Sequence, residues 1–262
     1  MAGSAKSAIE RAVIVLECFT RKEPILGVTE IGQKLGLQKS TVHRLLKEMT
    51  KQGLIDRDPG SQRYRLGHKL LYLGNLSARQ YQLRDLALPA MRRLWEKSGE
   101  TVTLSIRIGD QRMYLEQIES LEEVRVSVEI GKPLPLYCGA GGKVFLAFMD
   151  PAEVDRILGT GALPALTSAT IVDPVRLRED LAQVRAAGYS MSQGERVAGV
   201  HAIAAPLRSH AGQVVAAIGI SGPTSRLTPD RLAERAPLLA QTATELSDTF
   251  GWVLSSSVGR ST

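Results

Sequence analysis

The apolar and polar positions are most regularly spaced between residues 29 and 53, where they predict two short helices joined by a tight turn. Ile31 and Leu35 lie four positions apart, which places both on one face of a helix. Thr29 precedes this pair and is predicted to cap the helix. Gly36 then supplies the backbone freedom that a sharp turn requires.

The second predicted helix is amphipathic, and it ends at Gly53. Its apolar stripe has i, i+3, i+4, i+7 spacing and consists of Val42, Leu45, Leu46 and Met49. Its opposite face carries hydroxyl, imidazole and basic groups, which belong to Ser40, His43, Arg44, Lys47 and Lys51. Such a pair of helices is typical of a helix-turn-helix whose second helix enters a major groove about 12 Å wide. An ordinary amphipathic helix with a solvated charged face is the alternative.

The elements on either side favour the first interpretation. A further helix is predicted from about Ala8 to Thr20, and a short hairpin follows the second helix of the pair. In the hairpin, Tyr64 and Leu66 alternate with Arg63 and Arg65, so both arginines are predicted to face outward. A hairpin at this place is a wing, and its arginines can reach phosphates or a minor groove. Residues 1–66 are therefore predicted to form an all-α winged helix-turn-helix.

Residues 67–83 carry more leucines than one core-facing stripe requires. They are Leu70, Leu71, Leu73 and Leu76. A long core helix would explain them, and so would a linker helix that buries the surplus against a second subunit. Because DNA half-sites are read by paired domains, the sequence favours a dimerising linker helix.

From residue 84 to residue 262 the pattern becomes one of alternating strands with helices set to the side. TVTLSIRI and QRMYLEQIE predict one hairpin, EVRVSVEI a further strand, and HAIAAPLR and VVAAIGIS a second hairpin. One helix is predicted to end at Lys97–Ser98 and another to run from about 229 to 251. Two more are predicted in PAEVDRILG and DPVRLREDLAQVRAAG, each of which has a proline at its start. The predicted fold is thus a winged helix-turn-helix, a linker helix and a C-terminal α+β domain with an antiparallel sheet.

The net charge of +6 is concentrated in the first third of the chain. Residues 1–83 hold 14 Lys and Arg against 7 Asp and Glu, whereas the remainder holds 19 against 20. This asymmetry predicts a polyanion, double-stranded DNA, as the partner. A membrane-surface module could also be basic, but it would need a free apolar face, and here the apolar stripes are predicted to pack into a small core. The longest apolar run, from Val214 to Ile220, is too short to span a bilayer, and Cys18 and Cys138 lack metal-type spacing, so a cytoplasmic protein is predicted.

Several chemical motifs can be set aside. Gly139–Lys143, GAGGK, is not a phosphate loop, because that motif requires glycine where Tyr137 stands and serine or threonine where Val144 stands. The loop could still bind an anion or simply form a turn. Cys138 and His201 lack a local catalytic signature, and the histidines are scattered. We therefore predict no catalytic residue, no metal and no cofactor.

Both halves of the chain resemble the IclR family of bacterial transcription regulators. The similar stretches are ERAVIVLECF and LQKSTVHRLLKEMTKQGLIDRDPGSQRYRLG in the first half, and GKPLPLYCGAGGKVFLAF, GYSMSQGERVAGVHAIAAPLR and AAIGISGPTSRLT in the second. The resemblance implies a GAF-like effector-binding domain at 84–262. It also implies a homodimer or dimer of dimers whose grip on operator DNA changes when a small metabolite binds.

The resemblance places the DNA contacts on the KSTVHR stretch, that is, on Lys39, Ser40, Thr41, His43 and Arg44. The hydroxyl groups suit phosphates or base edges, Arg44 suits guanine and Lys47 suits a phosphate. Gln38 stands where the family often has proline, which removes a preset helix start but adds a polar group. The predicted DNA-binding set is completed by Arg63 and Arg65 of the wing.

The resemblance also implies an effector pocket. Ala140 and Gly141 match a pair whose backbone N–H groups bind an acidic ligand. Ser192 stands where members that bind small acids have an acidic residue, and Ala202 stands where a polar or thiol residue is usual. On this comparison the pocket keeps its backbone donors and loses side-chain polarity.

The remaining pocket positions carry the same implication. Gly219 and Ser221 match two serines, so one hydroxyl is missing, while Val126 and Leu134 match apolar wall positions. We therefore expect a larger, partly apolar effector, such as an aromatic acid or related catabolite, rather than a two- or three-carbon acid. The expected function is a ligand-modulated regulator, with a repressor favoured over an activator.

Two other classes remain open at this point. One is an enzyme for a small acid that carries a DNA-binding module, which a turnover assay would reveal. The other is a nucleoid protein that needs no ligand, which would coat DNA rather than protect one palindrome.

Overall fold

The chain divides into two units, Met1–Tyr81 and Gln82–Thr262, each of which has its own core. The computed structural model describes residues 7–20, 22–79, 83–159 and 161–258, with the side chains of 75–79 and 250–258 left out. The predicted N-terminal helix-turn-helix and C-terminal α+β domain are both confirmed.

The first unit contains the predicted helices and hairpin in the predicted order. Its elements are α1 (Ala8–Glu17), α2 (Val28–Leu35), α3 (Lys39–Lys51), β1 (Ile55–Arg57), β2 (Tyr64–Leu66) and α4 (His68–Arg79). The core-facing stripe of α3 is confirmed, because Val42, Leu46 and Met49 are buried. These side chains pack with residues of α1, α2 and the hairpin around one small core.

The start of α2 differs from the prediction. The helix begins at Val28 with Gly27 as its N-cap, so Thr29 lies inside it and is not the cap. Glu30 caps the helix instead, because its carboxylate accepts a hydrogen bond of 2.6 Å from the Gly27 N–H. The predicted turn at Gly36 is confirmed, with a left-handed φ of 65°.

The linker prediction falls on α4, whose apolar surface is largely exposed. Leu71 is 69%, Tyr72 62% and Leu73 45% accessible to solvent. Leu76 belongs to the predicted stripe but lies outside the described side chains, and the predicted end of the linker lies partly outside the described residues. Among the helices of the described ranges, none has the length and apolar character needed to cross a bilayer.

The second unit is a six-stranded antiparallel sheet with helices on both faces. Its helices are α5 (Leu83–Ser98), α6 (Ala140–Ala147), α7 (Pro151–Leu158), α8 (Pro174–Ala187) and α9 (Pro229–Val258). Its strands are β3 (Thr101–Ile108), β4 (Gln111–Ile118), β5 (Leu134–Pro135), β6 (Ser190–Gln193), β7 (Val200–Arg208) and β8 (Val214–Pro223). The strand order is β5-β4-β3-β8-β7-β6.

Alternation along the central strands gives the sheet two different faces. Large apolar residues of β3, β7 and β8 pack against α5 and α9, as Leu104, Ile218 and Leu239 illustrate. On the other face the strands present small residues such as Ala204 and Ala217, which pack against α6, α7 and α8. Because those residues are small, space is left between this face and α6.

The stretch EVRVSVEI is not the regular strand that its alternation predicts. Only an isolated bridge, between Ile130 and Tyr114, joins it to the sheet. Side chains satisfy its backbone instead: Gln117 bonds both the N–H and the carbonyl group of Val128, and Thr101 donates to the carbonyl oxygen of Val126 at 2.6 Å. Because side chains bond these buried backbone groups, the stretch does not need the hydrogen bonds of a continuous β-ladder.

Candidate nucleic-acid interface and ligand cavity

The outer face of α3 is a solvent-exposed row of polar and basic side chains. Gln38, Lys39, Ser40, His43, Arg44 and Lys47 are exposed, and Thr41 is half-buried. Gln38 is the N-cap residue but makes no capping bond with its side chain. Across the described part of the chain, no ion pair engages Lys39, Arg44 or Lys47. This face can therefore donate to phosphates and base edges without first breaking an internal contact.

The two arginines of the hairpin differ. Arg65 is exposed, as predicted, whereas Arg63 is not free to face outward. Its Nη2 lies 2.6 Å from Glu30 Oε2 and donates at 3.1 Å to the carbonyl oxygen of Ile25. The Leu26–Tyr64 bridge brings these acceptors to the hairpin, so Arg63 fastens the hairpin to α2.

The second unit contains a cavity between the small-residue face of the sheet and the start of α6. Its walls are formed by strand residues, by the loop before α6 and by the loop after β6. The lining residues are Thr103, Ser105, Arg112, Tyr114, Gly139, Ala140, Gly141, Ser192, Arg196, Val197, Val200, Ala202, Ile203, Ala204, Ala217, Gly219, Ile220 and Ser221. The cavity volume is about 40 Å³, which is room for about three waters.

The start of α6 supplies backbone donors to this cavity. Gly139 precedes the helix with a φ of 77°, and the N–H groups of Ala140 and Gly141 come at the first turn, where a helix offers no internal acceptor. Gly142 must be glycine, because a Cβ there would collide with the carbonyl oxygen of Leu136. The close packing of this turn holds its N–H groups at the cavity wall.

Two guanidinium groups lie beside Tyr114 in the cavity wall, and that of Arg112 is close to the first turn of α6. The Cζ of Arg112 lies 4.7 Å from the centre of the Tyr114 ring, and that of Arg196 lies 5.9 Å from it. Arg112 Nη2 donates to Tyr114 Oη at 3.3 Å. Burial alone raises the pKa of Tyr114, but the positive charges of Arg112 and Arg196 outweigh it and leave the pKa below its ordinary value.

A buried ion cluster lies behind the same loop. Lys143 Nζ lies 2.6 Å from Glu195 Oε1 and 2.9 Å from Asp180 Oδ2. The other oxygen of Glu195 accepts from the Gly139 N–H at 3.0 Å. The cluster therefore ties α6, α8 and the loop that carries Arg196 together around the cavity.

Six of the eight residues predicted for the effector pocket line this cavity: Ala140, Gly141, Ser192, Ala202, Gly219 and Ser221. Val126 and Leu134 do not, because they pack with Val128 and Val200 around Tyr114 and so stand behind a lining residue. The expected loss of side-chain polarity concerned the matched positions alone, and Arg112, Tyr114 and Arg196 add polar groups to the wall of this cavity.

Sequence reasoning missed these three residues for identifiable reasons. Thr103 and Ser105 give β3 an unusually polar face for a buried strand. This pattern was visible in the sequence and was not used to predict a cavity beside the strand. Arg112 and Tyr114 are two positions apart on the neighbouring strand and therefore share a face. The pairing of Ser105 with Tyr114 was needed to show that Arg112 and Tyr114 lie on the same face of the sheet as Ser105.

Cys138 and His201 do not form a reactive pair. Burial raises the pKa of the Cys138 thiol to about 11, which keeps it protonated near neutral pH. His201 Nδ1 lies 2.8 Å from the carbonyl oxygen of Leu227, which fixes its ring. In the ranges that the structure covers, no group of three or more His, Cys, Asp or Glu residues could hold a metal ion.

Two family models together match most of the chain. The IclR helix-turn-helix domain matches residues 8–59, and the bacterial transcriptional regulator IclR C-terminal domain matches residues 76–248. The first range contains the exposed face of α3, and the second contains the cavity.

Curated relatives and solved structures agree with this match. The HTH-type transcriptional regulator BhcR of Paracoccus denitrificans is 36% identical over 92% of this chain and 86% of its own length. The transcriptional repressor IclR of Escherichia coli is 33% identical over 93% of this chain and 90% of its own length. An IclR homologue of Microbacterium hydrocarbonoxydans, solved with 4-hydroxybenzoate, is 28% identical with a TM-score of 0.80, covering 92% of this chain and 98% of that one. The chain therefore belongs to the IclR family of bacterial transcriptional regulators.

Proposed function

We propose that this regulator is a cytoplasmic repressor that releases operator DNA when a small organic acid occupies the cavity of its second unit. The observation that carries the proposal is the pairing, in one chain, of a recognition helix with unengaged basic side chains and a separate cavity with buried donors. The name of the E. coli relative, a transcriptional repressor, supports the direction of the response.

The DNA-binding residues are proposed from the exposed face of α3. Lys39 and Lys47 would contact phosphates, Ser40, Thr41 and His43 phosphates or base edges, and Arg44 would read guanine. Gln38 would add a polar contact at the start of the helix. Arg65 would reach the backbone from the hairpin, while Arg63 would hold the hairpin in position.

The effector is proposed to be an acid with a short apolar body. Val197 and Val200 supply apolar wall, and the α6 amides and two guanidinium groups supply donors. The small cavity favours a compact acid over the larger one expected from sequence. The 4-hydroxybenzoate bound by the Microbacterium homologue supports an aromatic acid, which would require this cavity to widen.

A homodimer or dimer of dimers is proposed because operators are read by paired domains. The exposed Leu71, Tyr72 and Leu73 of α4 provide apolar surface that a second copy would cover. Sedimentation of the full chain should therefore give a mass at least twice that of the monomer.

A DNA-shift titration tests the proposal. The full chain is used to select duplexes from a random pool, and the affinity for the best duplex is measured with and without small molecules that copurify with the protein. An effector should change the DNA affinity roughly 5- to 150-fold, and DNA should change the effector affinity by the same factor. The slope of log affinity against log salt should be about −0.9 per neutralised phosphate.

Two results would contradict this function. One is a DNA affinity that stays constant with every copurifying molecule and every short or aromatic acid tested. The other is coating of any duplex without a selected sequence, which would favour a ligand-independent nucleoid protein.

A further inference from the structure

We propose that Arg112 is the residue that receives the effector's carboxylate, so that the cavity selects a carboxylate over a neutral molecule of the same shape. The inference deepens the proposed function and rests on it for the identity of the cavity as the effector site. It rests on an observation of its own, which is a buried positive charge without a partner.

Arg112 is only 2% exposed, and its Nε and Nη1 atoms have no hydrogen-bond partner among the described residues. The third nitrogen, Nη2, donates to Tyr114. No carboxylate of the described residues forms an ion pair with Arg112 or with Arg196. A guanidinium keeps its charge in proteins, and burying it unpaired is costly. An anion bound in the cavity would therefore neutralise this buried charge.

The second buried cation beside the cavity shows what a completed site looks like. Lys143 is 1% exposed, yet it has two carboxylates within 3 Å, Glu195 at 2.6 Å and Asp180 at 2.9 Å. Glu195 also accepts from the Gly139 N–H on its other oxygen, and among the described residues it forms no ion pair with Arg112. The chain pairs one buried cation internally and leaves the other open to the cavity.

The other unpartnered donors converge on the same space. A Cβ placed on Gly141 would lie 3.6 Å from Arg112 Nη1 and 3.3 Å from Ser105 Oγ, so the first turn of α6 comes close to the guanidinium. Ser221 lines the cavity, and its Oγ is also buried without a hydrogen-bond partner in the described ranges. A planar carboxylate can accept from the guanidinium and from the α6 amides together.

The remaining walls favour a carboxylate over an inorganic oxyanion. Val197, Val200, Ala202 and Ala204 surround the space that the polar groups do not occupy. An organic acid places its carbon skeleton against these side chains, whereas phosphate or sulfate would leave them facing a charged surface. The cavity therefore fits a charged head joined to a short apolar body.

The test compares acetate, propionate and benzoate with their amides, and formate is added as the smallest carboxylate. The thermal midpoint of the full chain is measured with formate, acetate, propionate and benzoate, with acetamide, propionamide and benzamide, and with inorganic phosphate and sulfate. We expect saturable stabilisation by at least one carboxylate, none by its amide, and none by the inorganic anions at equal ionic strength. Isothermal titration calorimetry then gives the affinity of that carboxylate.

Arg112→Gln and Arg112→Met are the test variants, and Arg107→Gln is the matched control. Arg107 lies opposite Arg112 on the neighbouring strand, but it pairs with Glu153 and does not line the cavity. We expect both Arg112 variants to lose about 10- to 100-fold in carboxylate affinity and the control to keep it. Arg112→Met should not lower the thermal midpoint of the ligand-free protein, because it removes an unpaired buried charge.

The proposal is overturned if a neutral amide binds as well as its carboxylate, if phosphate or sulfate alone binds, or if no carboxylate in the panel stabilises the wild type. These comparisons use only the wild type and so remain decisive if a variant does not fold. Equal affinity in wild type and Arg112→Gln would also overturn it. Because no arm contains DNA, a failure here is distinct from a failure of effector-controlled DNA binding.

Discussion

The recognition helix and the ligand cavity both concentrate positive charge, but they treat it in opposite ways. Arg44 and Lys47 are exposed to water and have no carboxylate partner in the part of the chain that the structure describes, whereas Arg112 and Lys143 are almost fully buried. An exposed cation is already solvated and loses little when it meets a phosphate. A buried cation needs a partner, which the chain supplies for Lys143 and, on our proposal, a ligand supplies for Arg112. Surface charge thus suits a polymeric partner, and buried charge suits a small one.

The largest effect is expected where the buried pairing is broken. Lys143→Met should lower the free energy of unfolding of the second unit by about 3–5 kcal/mol, because Glu195 and Asp180 would be left without their cation. Urea denaturation followed through Trp95, which lies in that unit, measures the loss. Lys132→Met is the control, since its exposed pair with Glu129 should contribute less than about 1 kcal/mol. Equal effects of the two variants would contradict the difference drawn between buried and exposed charge.

The next effect concerns the surface that we propose reads DNA. Arg44→Ala should cost about 1–3 kcal/mol in binding to the selected duplex, with relaxed preference at one base pair, if Arg44 bonds a guanine edge. Fluorescence anisotropy on a set of single-base variants of that duplex measures both quantities. Lys132→Ala removes the same charge from the second unit and should leave the affinity unchanged. A loss that is uniform over all duplexes would make Arg44 a phosphate contact.

The two hairpin arginines of the first unit should have different roles, one in DNA binding and one in stability. Arg65→Ala should reduce the salt slope of DNA binding by about 1 without changing stability, because Arg65 is exposed and unpaired in the described residues. Arg63→Ala should instead lower stability by roughly 0.2–1 kcal/mol, since it removes the contact with Glu30. Salt-dependent anisotropy and urea denaturation of both variants would show whether these roles are exchanged.

The smallest effect is a pH dependence at Glu30. The hydrogen bond from the Gly27 N–H, followed by the nearby Arg63, holds the pKa of Glu30 below its ordinary value of 4.5. A lowered carboxyl pKa in the folded state adds stability above the unfolded pKa, and that stability disappears as the pH falls through the folded pKa. Glu30→Gln should therefore be less stable than wild type at pH 7, and the difference should shrink below pH 4.5. A difference that persists undiminished in acid would assign it to packing rather than charge.

Much of the fold, but not all of it, can be predicted from the sequence. Most helices and strands follow from periodicity, including the α3 stripe and both major hairpins of the second unit. EVRVSVEI has the alternation of a strand but is not one, because Gln117 and Thr101 satisfy its backbone from elsewhere in the chain. Thr29 has the chemistry of an N-cap, but Glu30 reaches back to Gly27 and starts the helix earlier. In both places a side chain at another position makes the bond that the local pattern assigned elsewhere.

The order of elements, the basic first third and the exposed face of α3 could all be predicted from the sequence, because they depend on local spacing and composition. Tertiary contacts were needed to show that Arg63 is tied to Glu30 while Arg65 stays exposed, and that Arg112 and Arg196 meet around Tyr114. Arg112 and Arg196 are far apart in the chain, and their meeting depends on strand register and on a loop held by Lys143 and Glu195. Burial and pairing are properties of three-dimensional neighbours, so a charge that looks ordinary in the sequence can become the centre of a site.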